Sequence, residues 1–404
     1  MKKIYLEFLR GISTVFIIGW HMAFLAPTGH VTHLTAYWGT DALIMFFMLS
    51  GLVINLSESK RPKTVKEFTI NRLVRIYPQF IMGMLLAFIA LWITHTAIPS
   101  TKDIIGNFLM VSTMKDYMGY IATSIQSNLP VWSLSFEMAF YLMFALTIGK
   151  NQQRTVRIWF ALTLIAIAVF FLRTNIDPIT HVVALFAFSS VWIVGYYIYQ
   201  YRHYFYARKY AVLFSLGILP LISRMQFSAN FYDPLKYFIF SIFAIPFFSF
   251  CLQEPPRGKE IKLKYLVPLH LLIVIGALIF PYMPFKNTIV YSTLPYVYMA
   301  AGYLIHLFKL KERVITLMTV LGKVLGKYSY SLYISHYTVL FVFSKLLHNV
   351  PLYCIVSIPP IIFFAYALES WLQPAVTRLF SKKEQQQMHL QPAGFPEMKI
   401  NHSH

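Results

Sequence analysis

Apolar runs of about 20 residues recur along the whole chain, and no other feature of the sequence constrains its fold as strongly. A helix of about that length crosses a hydrocarbon core roughly 30 Å thick. Twelve runs reach or approach it, at 5–27, 37–56, 76–98, 131–149, 156–173, 180–200, 210–224, 235–252, 265–282, 287–308, 328–349 and 352–372. Charged residues form only 12% of the sequence, against about 25% in soluble domains. The sequence therefore predicts an all-α, polytopic membrane bundle of about 10–12 transmembrane helices.

The basic residues lie mainly between these runs, and their distribution predicts the orientation of the chain. With Lys2 and Lys3 on the cytoplasmic side, 27 Lys and Arg residues fall on that side and 7 on the other. The positive-inside rule then predicts that both termini are cytoplasmic. The formal charge of +20 reflects topology and contact with anionic lipids, so we predict no nucleic-acid partner. Two cysteines exclude a Cys-rich metal site, and we predict no metal.

The chain divides into two parts by composition. Residues 1–375 form one transmembrane domain, and residues 376–404 form a polar cytoplasmic tail. The only long segment predicted on the extracytoplasmic side, 99–130, is expected to be partly helical and either surface-lying or re-entrant.

The first apolar run contains Arg10 and His21. An ionisable side chain at the centre of a membrane costs about 2.5–3.5 kcal/mol on insertion scales, so each such residue suggests a function. Eleven helical residues span three turns plus about 20°, which places both side chains on one face and roughly 16 Å apart. The alternative is that Arg10 extends to the interface and His21 is a satisfied core residue.

Two acidic residues are expected at about the depth of His21. Asp41 opens the second run, and Glu137 lies about two turns into the fourth. A carboxylate beside an imidazole fixes its tautomer and stabilises its protonated form, which suits a general base. Alternatively, Asp41 is a helix N-cap and Glu137 belongs to a packing pair.

Polar groups also mark the third run and the last two. Arg72 and Arg75 share a helix face and suit phosphate binding, although positive-inside anchoring is the alternative. Ser331 and His336 could bind a polar ligand or join helices. Glu369 is expected to pair with an arginine.

Five segments, in this order, resemble those of acyltransferase family 3, a family of membrane proteins. They are Arg10 with His21, then 41–54, 72–78, 132–142 and 328–336. Each segment is weakly specific alone, but their shared order and spacing make the resemblance strong. It extends over most of the chain and implies that residues 1–375 are an acyltransferase domain.

The resemblance implies transfer of an acyl group, commonly acetyl, from cytoplasmic acyl-CoA to a carbohydrate hydroxyl. It implies that Arg10, Arg72 and Arg75 bind the CoA phosphates, with acyl-CoA as donor substrate and no tightly bound cofactor. His21 would be the general base, with Asp41 or Glu137 beside it, or would itself carry the acyl group. We expect the arginines and His21 to share one continuous cavity.

The resemblance also implies an acceptor site and a cellular setting. Its predicted substrate-binding residues are Trp132, Ser135, Tyr141, Ser331 and His336. The expected acceptor is a cell-surface or lipid-linked polysaccharide at a bacterial inner membrane. Any hydrolase-like partner on the extracytoplasmic side would be a separate chain. The alternative function is a transporter or flippase for a glycan intermediate, although matching interrupted half-helices are not evident.

Overall fold

The computed structural model describes residues 3–26, 38–114, 118–149, 151–171, 177–225, 227, 232–252, 258–279 and 285–380. The helices in these ranges are α1 (Lys3–Leu25), α2 (Trp38–Lys60), α3 (Val65–Ile93), α4 (Thr101–Phe108), α5 (Val131–Ala145), α6 (Gln152–Phe171), α7 (Asp177–Gln200), α8 (Lys209–Ile222), α9 (Pro234–Phe243), α10 (Ile245–Leu252), α11 (Leu263–Ile279), α12 (Phe285–Leu307), α13 (Lys311–Leu346) and α14 (Val350–Ala367). A π-helical turn, Leu368–Leu372, follows α14, and the chain stays helical to residue 380. The predicted all-α membrane fold is confirmed, because every one of the twelve apolar runs overlaps a helix.

Six of the helices in the described ranges are long and apolar enough to cross a membrane. They are α1, α2, α3, α6, α7 and α14 with its extension. A seventh span results if α9 and α10, which bend by 43°, count as one. The bend precedes Pro246, which lacks the amide donor that a continuous helix needs at that point. The predicted number of 10–12 spans stays a prediction.

Two helices begin well before the apolar runs that they contain, which start at 76 and 328. The N-cap of α3 is Thr64, whose hydroxyl accepts from the Glu67 amide while the Glu67 carboxylate accepts from the Thr64 amide. This reciprocal capping satisfies two amides at the helix start and favours helix two turns ahead of the arginines. Helix α13 begins at Lys311 and carries its basic first half outside the apolar run.

Segment 99–130 is partly helical, as predicted, in the residues that the structure describes. It contains α4, a parallel pair of two-residue strands, β1 (Ser112–Thr113) and β2 (Ala122–Thr123), and a 3₁₀ turn, Gln126–Asn128. The buried Asn107 amide donates to the Thr123 carbonyl at 2.7 Å, and the Ser127 hydroxyl donates to the Ala87 carbonyl of α3 at 2.8 Å. A second parallel pair, β3 (Phe205–Ala207) and β4 (Lys259–Ile261), joins two other loops.

Glycines allow α1 and α13 to lie side by side in parallel. A Cβ on Gly326 would lie 2.7 Å from the Glu7 carbonyl oxygen, and one on Gly322 would lie 2.9 Å from the Phe8 amide. Small residues at such contacts let membrane helices approach closely and gain van der Waals contact. We call this contact the α1–α13 seam. Residues 381–404, most of the predicted tail, lie outside the described residues.

Candidate functional site

A polar cavity of about 100 Å³ opens among α1, α2, α3, α5 and α13. It is lined by Arg10, Phe46, Leu49, Ser50, Val53, Ile54, Arg72, Arg75, Ile76, Glu137, Tyr141, Ser329 and Tyr330. We call it the arginine cavity, because three of its lining residues are arginines and only one is acidic. It lies toward the end of the bundle where α1 begins. The structure therefore brings together all three arginines that the sequence predicts as phosphate ligands.

The guanidinium groups of Arg72 and Arg75 are held differently. Arg72 lies against two aromatic rings, 5.4 Å from the centroid of Phe68 and 5.7 Å from that of Tyr141. Its buried Nε has no hydrogen-bond partner in the described part of the chain. Arg75 donates from Nη1 to a Glu369 carboxylate oxygen at 2.9 Å. Of these two arginines, Arg72 has the more unused hydrogen-bonding capacity.

A chain of hydrogen bonds ends on the Glu137 carboxylate. Trp192 Nε1 donates to the Ser50 hydroxyl at 3.3 Å, which bonds the Tyr141 hydroxyl at 2.8 Å. Tyr141 in turn donates to Glu137. Because a carboxylate only accepts, the bonds run in one direction, from the indole to Glu137. Ser50, Tyr141 and Glu137 all line the arginine cavity, so the chain of hydrogen bonds ends inside it.

Glu369 joins three helices beneath this cavity. Besides Arg75, it accepts from Gln79 Nε2 at 3.0 Å and from the Ser331 hydroxyl at 2.9 Å. It lies in the π-helical turn, a backbone form often found at functional sites. The expected pairing of Glu369 with an arginine is confirmed. Ser331 is buried in this network and does not line the arginine cavity, so its position favours the helix-joining alternative.

His21 and His336 form a separate buried pair. His21 Nδ1 lies 2.9 Å from His336 Nε2, and the two side chains are 7% and 0% exposed. Helical geometry explains their meeting: His21 is eleven residues after Arg10 and His336 seven after Ser329, so each shares a face with a cavity residue. The parallel α1–α13 seam then aligns the two histidines beyond the cavity.

The expected continuous cavity from the arginines to His21 is not found among the described residues. Phe46, at the edge of the arginine cavity, stacks on Tyr333 with ring centroids 6.4 Å apart. The Tyr333 ring lies 5.8 Å from that of His336. Tyr333 is held by hydrogen bonds to the Ser133 hydroxyl at 2.5 Å and the Pro130 carbonyl at 2.7 Å. Two aromatic rings therefore separate the cavity from the histidine pair.

Asp41 does not join His21 or Glu137. With Ala42 and Met45 it lines a second, mainly apolar pocket, while Phe46 and Ser50 line the arginine cavity. Asp41 and Phe46 are about 140° apart around α2. The charges acting on Asp41 are those of Arg224 and Lys236. Its role as a partner of His21 stays a prediction without support from its position.

The remaining predicted acceptor residues are buried in packing contacts. Trp132 lies edge-on to the Tyr232 ring, with centroids 5.0 Å apart. The Ser135 hydroxyl lies 3.4 Å from that of Ser112. Neither lines the arginine cavity. Their substrate-binding roles stay predictions.

Several residues of the site were not singled out from the sequence. They are Ser50, Gln79, Trp192, Tyr330 and Tyr333. Two of them had a usable signal: a glutamine in an apolar run, one turn after Arg75, and a serine inside the second-helix segment. Tyr330 and Tyr333 lie inside the segment 328–336, but aromatics form 17% of the chain, so nothing distinguished them or Trp192 from the other aromatic residues.

These features define a multi-pass membrane protein with a buried, positively charged cavity. A family model for an acyltransferase domain matches residues 3–266, more than half of the chain. The chain belongs to acyltransferase family 3.

Two curated relatives match shorter stretches. An acyltransferase of Streptomyces mycarofaciens, MdmB, is 33% identical over 146 residues, which are 35% of each chain. An uncharacterized protein of Haemophilus influenzae is 31% identical over 134 residues, 30% of this chain and 55% of the relative. The matches thus span about a third and about half of these relatives. No solved structure matches the chain significantly.

Proposed function

We propose that the protein is a membrane acyltransferase. It transfers an acyl group from acyl-CoA to a hydroxyl of a cell-surface or lipid-linked polysaccharide, and the acyl group that we propose is acetyl. The observation that carries this proposal is that Arg10, which lines the arginine cavity, lies on the same face of α1 as His21. The family match and the acyltransferase from Streptomyces mycarofaciens support the reaction class.

The arginine cavity is the proposed docking site for a phosphate of CoA. Arg10, Arg72 and Arg75 outnumber the single lining acid, Glu137, so the cavity favours an anion. A volume of about 100 Å³ compares with roughly 10–15 Å³ of the same kind of volume for one water. It has room for a phosphate-sized group but not for the whole CoA. The rest of the donor therefore lies outside it, or the aromatic pair Phe46 and Tyr333 moves as it binds.

His21 is the proposed general base. It takes the proton of the acceptor hydroxyl as the oxygen attacks the thioester carbonyl. The new C–O ester bond forms, the C–S bond breaks, and CoA leaves as a thiolate that then takes up a proton. The acyl-histidine route needs the same residue, with the imidazole attacking first and the hydroxyl second.

The orientation predicted from Lys and Arg fits this arrangement. If the N-terminus is cytoplasmic, the arginine cavity lies toward the cytoplasm and His21 lies about 16 Å farther along α1. Cytoplasmic acyl-CoA would then enter from one side and the glycan from the other. A bacterial inner membrane is the setting that we propose.

The test is acetyl transfer by the purified, full-length protein in vesicles, with radiolabelled acetyl-CoA and lipid-linked glycan. We expect ester-linked label on the glycan, and loss of transfer by about 10²–10⁴-fold in His21→Ala. His348→Ala is the matched control, because this histidine is exposed. Glycan movement across the vesicle without any acetyl transfer would favour the flippase alternative and reject the acyltransferase proposal.

A further inference from the structure

The hydrogen bonds around His336 have only one arrangement if its ring is neutral. His336 Nδ1 lies 2.8 Å from the Tyr333 carbonyl oxygen and 3.0 Å from that of Leu332. Carbonyl oxygens only accept, so Nδ1 carries the proton. In a neutral imidazole the other nitrogen, Nε2, is then an acceptor.

Burial favours the neutral form of both rings. His336 is 0% exposed and His21 is 7% exposed. Within the described ranges, the hydrogen-bond partners of the two rings are each other and helix carbonyls, not carboxylates. Burying a charge without an opposing partner is costly in free energy, so the singly protonated, neutral form of each ring is favoured.

The direction of the bond between the two rings follows. Because His336 Nε2 accepts, His21 Nδ1 must donate to it across 2.9 Å. The proton of His21 is thus on Nδ1, and its lone pair is on Nε2. An imidazole of this tautomer presents Nε2 as its basic and nucleophilic nitrogen.

We infer that His336 is a positioning residue that fixes the tautomer and ring orientation of His21, so that His21 Nε2 is the nitrogen that meets the substrate. The inference rests on the proposed role of His21 as base or acyl carrier. It differs from the sequence prediction that His336 binds substrate. Both ring nitrogens of His336 already have protein partners, so the ring has no free polar atom for an acceptor.

The geometry resembles the way a carboxylate orients a histidine in other enzymes, with a neutral imidazole as the orienting group. A carboxylate would add a charge that stabilises the protonated base. A neutral histidine only orients the ring, and because it is uncharged its burial carries no free-energy penalty for an unpaired charge. This suits a base deep in an apolar bundle.

Two amide variants separate the positioning role from a structural one. In His336→Gln the amide group reaches the place of Nε2, so its oxygen can accept from His21 Nδ1. In His336→Asn the shorter side chain reaches only the place of Nδ1 and keeps only the bond to its own helix. We expect kcat within about tenfold of wild type in the first and about 10²–10⁴-fold lower in the second. The KM for acyl-CoA should change little in either.

Equal losses of kcat in the two variants would overturn the inference, because a packing role does not distinguish them. A raised acceptor KM at wild-type kcat would overturn it too, since that result assigns His336 to substrate binding. Thermal unfolding of both variants checks that the comparison is between folded proteins.

A second measurement does not depend on turnover. In ¹⁵N-histidine-labelled wild type, we expect the His21 signals, assigned by their absence in His21→Asn, to show a protonated Nδ1 and an unprotonated Nε2. In His336→Asn this fixed tautomer should be lost. The opposite tautomer in the wild type would reject the inference. If the protein transfers no acyl group but shows the expected tautomer, the proposed function fails while the arrangement of the pair stands.

Discussion

Within the described residues, the arginine cavity and the region around Asp41 both contain buried charges, but they differ in the properties expected of a ligand site. In the arginine cavity, three cations face one lining acid and an open volume. The region around Asp41, which we call the Asp41 cluster, contains Asp41, Arg224, Asp233 and Lys236, with as many acids as bases. Asp41 also lines a pocket, so the excess of positive charge is what distinguishes the arginine cavity from the Asp41 cluster.

The hydrogen bonds of the Asp41 cluster support this distinction. Arg224 donates to the Pro220 carbonyl at 2.7 Å and stacks on the Tyr291 ring at 3.9 Å. The Asp233 carboxylate accepts from the backbone amide of Leu235 at 3.0 Å and so caps α9. These groups hold helix ends in place. We interpret the Asp41 cluster as structural and the arginine cavity as functional.

The effect that separates the two regions most directly is on donor binding. Arg72→Ala should raise the dissociation constant for acyl-CoA about 10–100-fold, because a hydrogen bond to a charged group contributes about 1.5–3 kcal/mol. Isothermal titration with a non-hydrolysable acyl-CoA analogue measures it. Arg154→Ala, which removes an exposed arginine, is the matched control.

A change in Arg72→Ala confined to acceptor use would contradict a phosphate role. A loss of the same size in the Arg154→Ala control would show that donor affinity depends on overall charge and not on the cavity. The difference in donor affinity between wild type and Arg72→Ala should persist at lower salt, since the cavity is partly shielded from solvent ions.

The next effect is on stability. Asp41→Asn removes the carboxylate whose charge opposes those of Arg224 and Lys236. Asp233 would then be the remaining acid of the cluster beside two bases, which we expect to cost about 1–3 kcal/mol. We therefore expect a lower Tm in nanodiscs, with donor affinity close to that of wild type. A kcat as low as that of His21→Ala at an unchanged Tm would instead restore Asp41 as a catalytic partner.

The smallest expected effect concerns Ser331. Ser331→Ala removes one hydrogen bond to the Gln79–Glu369 network and should cost about 0.5–1.5 kcal/mol of stability. Ser357→Ala is a matched control, since that buried hydroxyl bonds only its own helix. A higher acceptor KM in Ser331→Ala, absent from the control, would support the predicted substrate contact and extend the site beyond the cavity.

Helical periodicity predicted much of this arrangement from the sequence. The twelve apolar runs marked the helices, and the eleven-residue spacing placed Arg10 and His21 on one face of α1. The three-residue spacing of Arg72 and Arg75 likewise placed both on the cavity side of α3. Each of these statements concerns residues within one helix, where 100° per residue fixes the relative direction.

Contacts between helices were the part that the sequence did not reveal. Asp41 lies at the depth expected for a partner of His21 but points toward α8 and α9, because depth along a helix does not set its rotation. His336, far along the chain, takes the place expected for that acid. Glu369 and Gln79 meet through tertiary packing alone, so their network has no local pattern in the sequence.

The α1–α13 seam has a consequence for variation in this protein. A methyl group at Gly326 would approach the Glu7 carbonyl to 2.7 Å, so the two backbones would have to separate. The imidazoles farther along the same two helices bond across only 2.9 Å and tolerate little added distance. A single methyl group placed on an apolar helix surface could therefore silence the protein as completely as loss of a histidine, while every polar side chain remained in the sequence.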